Sequence, residues 1–83
     1  MKHASHPDIG KHLKQAEGHL RSVIAMIEDS KPCVELAQQL HSVEAAIAKT
    51  KKELIHDHIE HCLDDRPDTK TALRELKQLA GYL

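Results

Sequence analysis

The chain has no tryptophan and no phenylalanine, and Tyr82 is its only aromatic residue. Aliphatic side chains must therefore do the packing, and no aromatic pattern exists on which nucleic-acid bases could stack. Two cysteines cannot build a disulfide framework, and their separation argues against an intrachain bridge. Free thiols fit a reducing cytoplasm. No apolar run reaches membrane-spanning length, no secretory leader is visible, and contact with a membrane is not expected. Neither sign of charge dominates: 12 basic residues face 13 acidic ones, for a formal net charge of −1. There is thus no global basic field, and any contact with nucleic acid must use local patches. The order of residues offers no nucleophile elbow, no Ser/His/Asp arrangement and no phosphate loop, so the chain does not read as an enzyme.

What remains is aliphatic, charged and rich in histidine. Eighty-three residues, eight of them histidine, make one small domain with little volume for a core. Chains of this size usually gain stability from metal, disulfides or association. Residues 1–7 read as a mobile arm carrying His3 and His6, and residues 8–83 as a single all-α domain of three helices. In the first helix, Ile9, Leu13, Ala16, Leu20, Val23, Ile24 and Ile27 recur at spacings of three and four, ending near Asp29. Ser5 and Asp8 resemble an N-capping arrangement with Pro7 in the first turn. Gly18 is read as a point of close helix approach.

Ser30-Lys31-Pro32 reads as the next start, a capping serine followed by proline. The stripe Leu36, Leu40, Val43, Ile47, Thr50 and Leu54 then alternates steps of four and three, a heptad-like seam in need of a partner. No Gly or Pro interrupts it before Pro67. Ala45 and Ala46, near the midpoint, are read as the place where two antiparallel copies cross. After a break at Asp64-Asp65-Arg66-Pro67, Asp68 caps a third helix with Ala72, Leu73, Leu76, Leu79, Ala80 and Leu83 apolar.

The chemistry lies at the two ends of the second helix. His58 and Cys62 are four apart and so share one face. Cys33 lies about 37 Å away along a continuous helix at ~1.5 Å per residue. One chain cannot close such a site, whereas two antiparallel copies bring the cysteine of one to the His/Cys pair of the other. Thiolate plus imidazole is a soft-to-borderline donor set. Three such donors suit Cu(I). A fourth from His3, His6 or the terminal amine suits Ni(II), Co(II) or Zn(II). The plain alternative is that both cysteines are small core residues. Of the other histidines, His56 and His61 read as solvated, His41 as partly buried beside the seam, and His12 and His19 as partner-facing or solvated, with at least one in water. Lys11, Lys14 and Arg21 share a side of the first helix, while Lys49, Lys51 and Lys52 cluster on the second. Such runs are ordinarily solvated, but multiplied by oligomer symmetry they make a surface able to track phosphates.

From Asp8 to Leu83 the chain resembles the copper-sensing CsoR and nickel/cobalt-sensing RcnR repressors. The resemblance rests on Glu17-Gly18-His19-Leu20, Cys33, Ala37-Gln38-Gln39-Leu40 and the run Ile55-His56-Asp57-His58-Ile59-Glu60-His61-Cys62. The Cys…His-x-x-x-Cys spacing is its most specific part. The wording from His6 to Ile9, from Ala16 to Leu20 and from His56 to Cys62 is most similar to the InrS/DmeR-type nickel and cobalt sensors. The resemblance implies an antiparallel helical dimer that pairs into a dimer-of-dimers tetramer, binds operator DNA without metal, and is released by it. It implies metal ligands at Cys33, His58 and Cys62 across subunits, with His3 or His6 as the N-terminal donor. It further implies that Glu75 orients the ligand histidine, and that Lys49 and Lys52 contact DNA; the charge pattern adds Lys11, Lys14 and Arg21 to the expected DNA contacts. Ni(II) or Co(II) is expected ahead of Cu(I). Two departures matter. His12 stands where many relatives have arginine, which thins the basic stretch. Cys62 matches the copper sensors, where the enterobacterial nickel/cobalt sensors have histidine. Two other readings are a metal-storage or trafficking protein that never binds DNA, and a sensor of aldehyde or persulfide working through Cys33.

Overall fold

The computed structural model describes residues 7–61 and 69–83. They form three α-helices, α1 (Pro7–Glu28), α2 (Cys33–His61) and α3 (Thr69–Ala80), and contain no strand. Helix α1 starts with Pro7, whose fixed φ and missing N–H suit the first helical position, and Asp8 in the first turn complements the helix dipole. Its end is a two-bond reversal. Ser30 N–H donates to the Ile27 carbonyl at 3.1 Å and Lys31 N–H to the Met26 carbonyl at 3.0 Å. This is the Schellman pattern, and it requires a left-handed residue, here Ser30 at φ 56°. Ser30 thus closes α1, correcting its reading as the cap of α2. The Pro32 carbonyl takes that place, accepting from Leu36 N–H at 3.1 Å.

Helix α2 runs 29 residues without Gly or Pro. Thr50, a weak helix former, turns its hydroxyl back onto the Ala46 carbonyl at 2.8 Å. Helix α3 ends in tight i→i+3 turns, in which Gly81, Tyr82 and Leu83 N–H donate to Gln78, Leu79 and Ala80 carbonyls.

Helices α1 and α2 pack as an antiparallel hairpin, and α3 docks near the far end of α2. The radius of gyration is 17.0 Å, against about 12 Å for a compact chain of this length. The described core is correspondingly thin: Ala16, Val23, Val43 and Ile55, with the polar Thr50 and His58. The apolar stripe of α2 divides lengthwise. Val43 and Thr50 are buried and Leu36 is half-buried, whereas Leu40, Ile47 and Leu54 stay exposed. At about 100° per residue, Cys33 and His58 fall on the Leu40 side of this division. Exposed Leu13, Leu20, Ile24 and Ile27 on α1 add to the uncovered apolar surface.

Some expectations are corrected here. Ala46 lines a cleft against α1, and Ala45 points about 160° away from Ile47 around the helix, so the two alanines do not form a crossing point on the exposed stripe. Gly18 has nothing within 4 Å of an added Cβ, and so marks no close approach within the chain. His41 is exposed.

Candidate metal centre and basic face

Cys33 is the first residue of α2, exposed and with a free thiol. His58 lies seven turns further along the same helix, about 37 Å away, so the fold keeps the two apart within one chain. His58 is 8 % exposed. Its Nε2 lies 3.3 Å from Glu75 Oε1 on α3, a close charge contact that falls short of hydrogen-bond geometry. Burial and this contact together restrict the ring, which an unpaired surface histidine would not be. Beside the contact, His58, Glu75, Gln78 and Tyr82 help line an open groove of about 900 Å3 between α2 and α3. Cys62, His3 and His6 lie outside the described residues. Among the described residues, no three His, Cys, Asp or Glu side chains converge to hold a metal ion.

The basic residues singled out in the sequence, Lys11, Lys14, Arg21, Lys49 and Lys52, are all exposed. They sit on the hairpin rather than at the His58 end. Arg21 is partly neutralised by Glu17 one turn earlier, at 3.7 Å. Lys49 borders a cleft between α1 and α2.

Sequence reasoning missed two polar pairs that bridge the hairpin. His12 Nδ1 lies 2.9 Å from Glu53 Oε2, and His19 Nε2 lies 2.7 Å from Gln39 Oε1. Both histidines therefore face α2, which corrects the expectation that at least one is given over to water. The residue pattern held no plain signal for them: His12 and His19 are seven residues apart, whereas Gln39 and Glu53 are fourteen apart on the facing helix.

The geometry thus combines a buried imidazole held by a carboxylate, a distant exposed thiol, and a band of cations. A family model described as metal-sensitive transcriptional repressor matches residues 5–81. The chain belongs to this family, the CsoR/RcnR repressors. Its members regulate transcription and are not enzymes. Among curated relatives, the chain is 34% identical over 71 residues to the copper-sensing transcriptional repressor CsoR of Bacillus subtilis (strain 168), covering 82% of this chain and 70% of the relative. It is 36% identical over 50 residues to CsoR of Mycobacterium ulcerans (strain Agy99), covering 60% and 43% respectively. It is 32% identical over 53 residues to the copper-sensing repressor RicR of Mycobacterium tuberculosis (strain ATCC 25618 / H37Rv), covering 64% and 55%. Matches therefore span about half the length of two of these three relatives. No solved structure matches the chain. No helix among the described residues is long and apolar enough to cross a membrane.

Proposed function

We propose that this chain is a cytoplasmic, metal-responsive repressor that holds operator DNA in its metal-free form and releases it when a metal ion binds between subunits. The observation that carries this reading is the placement of Cys33 and His58 at opposite ends of one continuous 29-residue helix, on the side where Leu40, Ile47 and Leu54 lie exposed. An uncovered apolar stripe of this length favours association. A second helix laid head to tail along it brings the Cys33 end of each copy to the His58 end of the other. The antiparallel dimer, and a tetramer built from two of them, belong to this proposal.

Cys33 of one subunit, with His58 and Cys62 of another, would hold the ion. The donors fit a soft or borderline metal: two thiols and an imidazole. With Nε2 turned toward Glu75, Nδ1 is the nitrogen of His58 left to face a metal ion, and the carboxylate steadies the ring. When bound, the ion supplies a cross-link between two long helices. Lys11, Lys14, Arg21, Lys49 and Lys52 ride on the same hairpin, so a change in helix alignment alters their spacing against DNA phosphates. Coupling of roughly 1–3 kcal/mol per site is the usual scale of such linkage.

For the ion, the histidine-containing arm and the wording near the InrS/DmeR-type sensors favour Ni(II) or Co(II), with His3 or His6 as fourth donor. Cu(I) is the second reading. It is favoured by the copper-sensing names of the curated relatives and by the three-donor set without the arm. Titrating the reduced, anaerobic protein with Ni(II), followed by competition with Cu(I), separates them by charge-transfer absorption. The same samples, assayed against a duplex from the chain's own upstream region, test repression. Binding that weakens with metal supports the reading. Metal uptake without any metal-sensitive DNA binding means a storage protein instead.

A further inference from the structure

The cleft between α1 and α2, about 300 Å3, has Lys49, Gln15 and His19 among its walls and Glu53 bonded to His12 at its edge. Exposed Lys11 and Lys14 stand beside His12 on α1, and exposed Lys52 precedes Glu53 on α2. Lys49 thus shares the cleft with Glu53, and Lys11, Lys14 and Lys52 lie close by along the two helices. Glu53 lies one turn from Lys49, within reach of pairing on the same helix face. It also bonds His12 at 2.9 Å while the two side chains remain 42% and 33% exposed. A half-exposed contact of this kind contributes little to stability. The buried contacts of the hairpin, Ala16, Val23, Val43 and Thr50, are made by other residues. The placement of Glu53 therefore matters more for the field over this face than for packing.

We propose that Glu53 is an internal competitor of DNA phosphate: it occupies His12 and offsets Lys49, and so limits both the affinity and the salt dependence of DNA binding. The inference rests on the repressor reading above. While Glu53 holds the His12 N–H, a phosphate oxygen meets the charge of the carboxylate instead of the imidazole, and the parent complex forgoes this contact. The missing contact makes the bound state easier to leave, a useful property in a repressor that must release its operator on a modest signal.

The test is fluorescence anisotropy on the full metal-free chain with a duplex from its own upstream region, titrated from 50 to 200 mM salt. Four proteins are compared: the unaltered chain, Glu53→Gln, His12→Gln and the double variant. Glutamine keeps the shape of Glu53 and can still accept from His12, so the fold is conserved, and thermal melting checks this. Glu53→Gln is expected to bind about three- to tenfold more tightly at 50 mM salt, with the log–log salt slope steeper by about 0.9, the value for one further phosphate contact. In the double variant most of that gain is lost, because the imidazole that makes the contact is gone. A merely structural pair would shift melting and leave the salt slope alone. If the unaltered chain binds DNA and Glu53→Gln matches it in affinity and slope, the competitor proposal falls while the repressor reading stands. A gain that survives intact in the double variant also overturns it, since His12 is then not the contact released. Failure of all four proteins to bind overturns both.

Discussion

The two ends of α2 carry the same kind of chemistry in opposite settings. At the N-terminal end, Cys33 is exposed, carries a free thiol and follows a proline. At the C-terminal end, His58 is buried and α3 brings Glu75 to its ring. One end is open; the other is already built. In the proposed site, a donor that meets a second subunit can remain uncovered until assembly. A donor whose ring nitrogen must be chosen in advance needs its second contact from within the chain. The difference shows how a chain with so thin a core can still fix one side chain: α3 packs on one imidazole rather than on the hairpin.

The sharpest way to break this comparison is to remove each donor in turn. Cys33→Ala and His58→Ala should both abolish the metal response and its thiolate absorption, because the proposed site needs both. A sensor working through the thiol alone would tolerate loss of His58, so a response surviving in His58→Ala would count against the metal site. The metal-free proteins should differ. Cys33→Ala changes an exposed position, and its unfolding free energy should stay within roughly 0.5 kcal/mol of the parent. His58→Ala empties a buried site and strips Glu75 of its contact, costing about 1–3 kcal/mol. Urea denaturation without metal reads this difference directly. Equal stabilities would mean that the two ends are not distinct.

A smaller effect sharpens the built end. Glu75→Gln keeps the volume and removes the charge facing Nε2. Loss of such an outer contact typically weakens metal binding about 10- to 100-fold. Competition with a chelator of known affinity measures it. Stoichiometry and the absorption bands should be unchanged, because the donors themselves remain. Loss of the bands would instead make Glu75 a ligand.

Much of this contrast was legible in the residues. Spacings of three and four between aliphatics gave the three helices, and the absence of Gly and Pro after Pro32 gave the length of α2. That length alone keeps Cys33 away from His58, so a site that used both would need a second chain. The division of the apolar stripe was not legible. Leu36, Val43 and Thr50 lie within about 80° of Leu40, Ile47 and Leu54 around the helix, and the pattern alone cannot tell which half α1 covers. The position of α1 decides it. The polar pairs His12–Glu53 and His19–Gln39 were missed because histidine at a helix surface ordinarily reads as solvated, and only the antiparallel register reveals a partner. Ser30 was misplaced for a related reason: serine is a common N-cap, and its left-handed backbone is not written in its residue type.

That same serine gives the finest test of the open end. Ser30 bears the reversal that aims α2, and so sets where Cys33 begins. An L-residue in the left-handed region costs roughly 1–2 kcal/mol, and a Schellman closure ordinarily recruits glycine to avoid this. Ser30→Gly relieves the strain but gives the unfolded chain more freedom, which offsets part of the gain. The expected net stabilisation is about 0.5 kcal/mol, seen as a rise of a few degrees in Tm for the metal-free protein. Metal affinity should not change, because the hydrogen bonds from Ser30 and Lys31 N–H that fix the reversal belong to the backbone and survive the substitution. If stability rises while metal binding weakens, the serine does more than close α1. Its hydroxyl would then help orient the turn that presents Cys33, and the open end would be more built than the bare thiol implies.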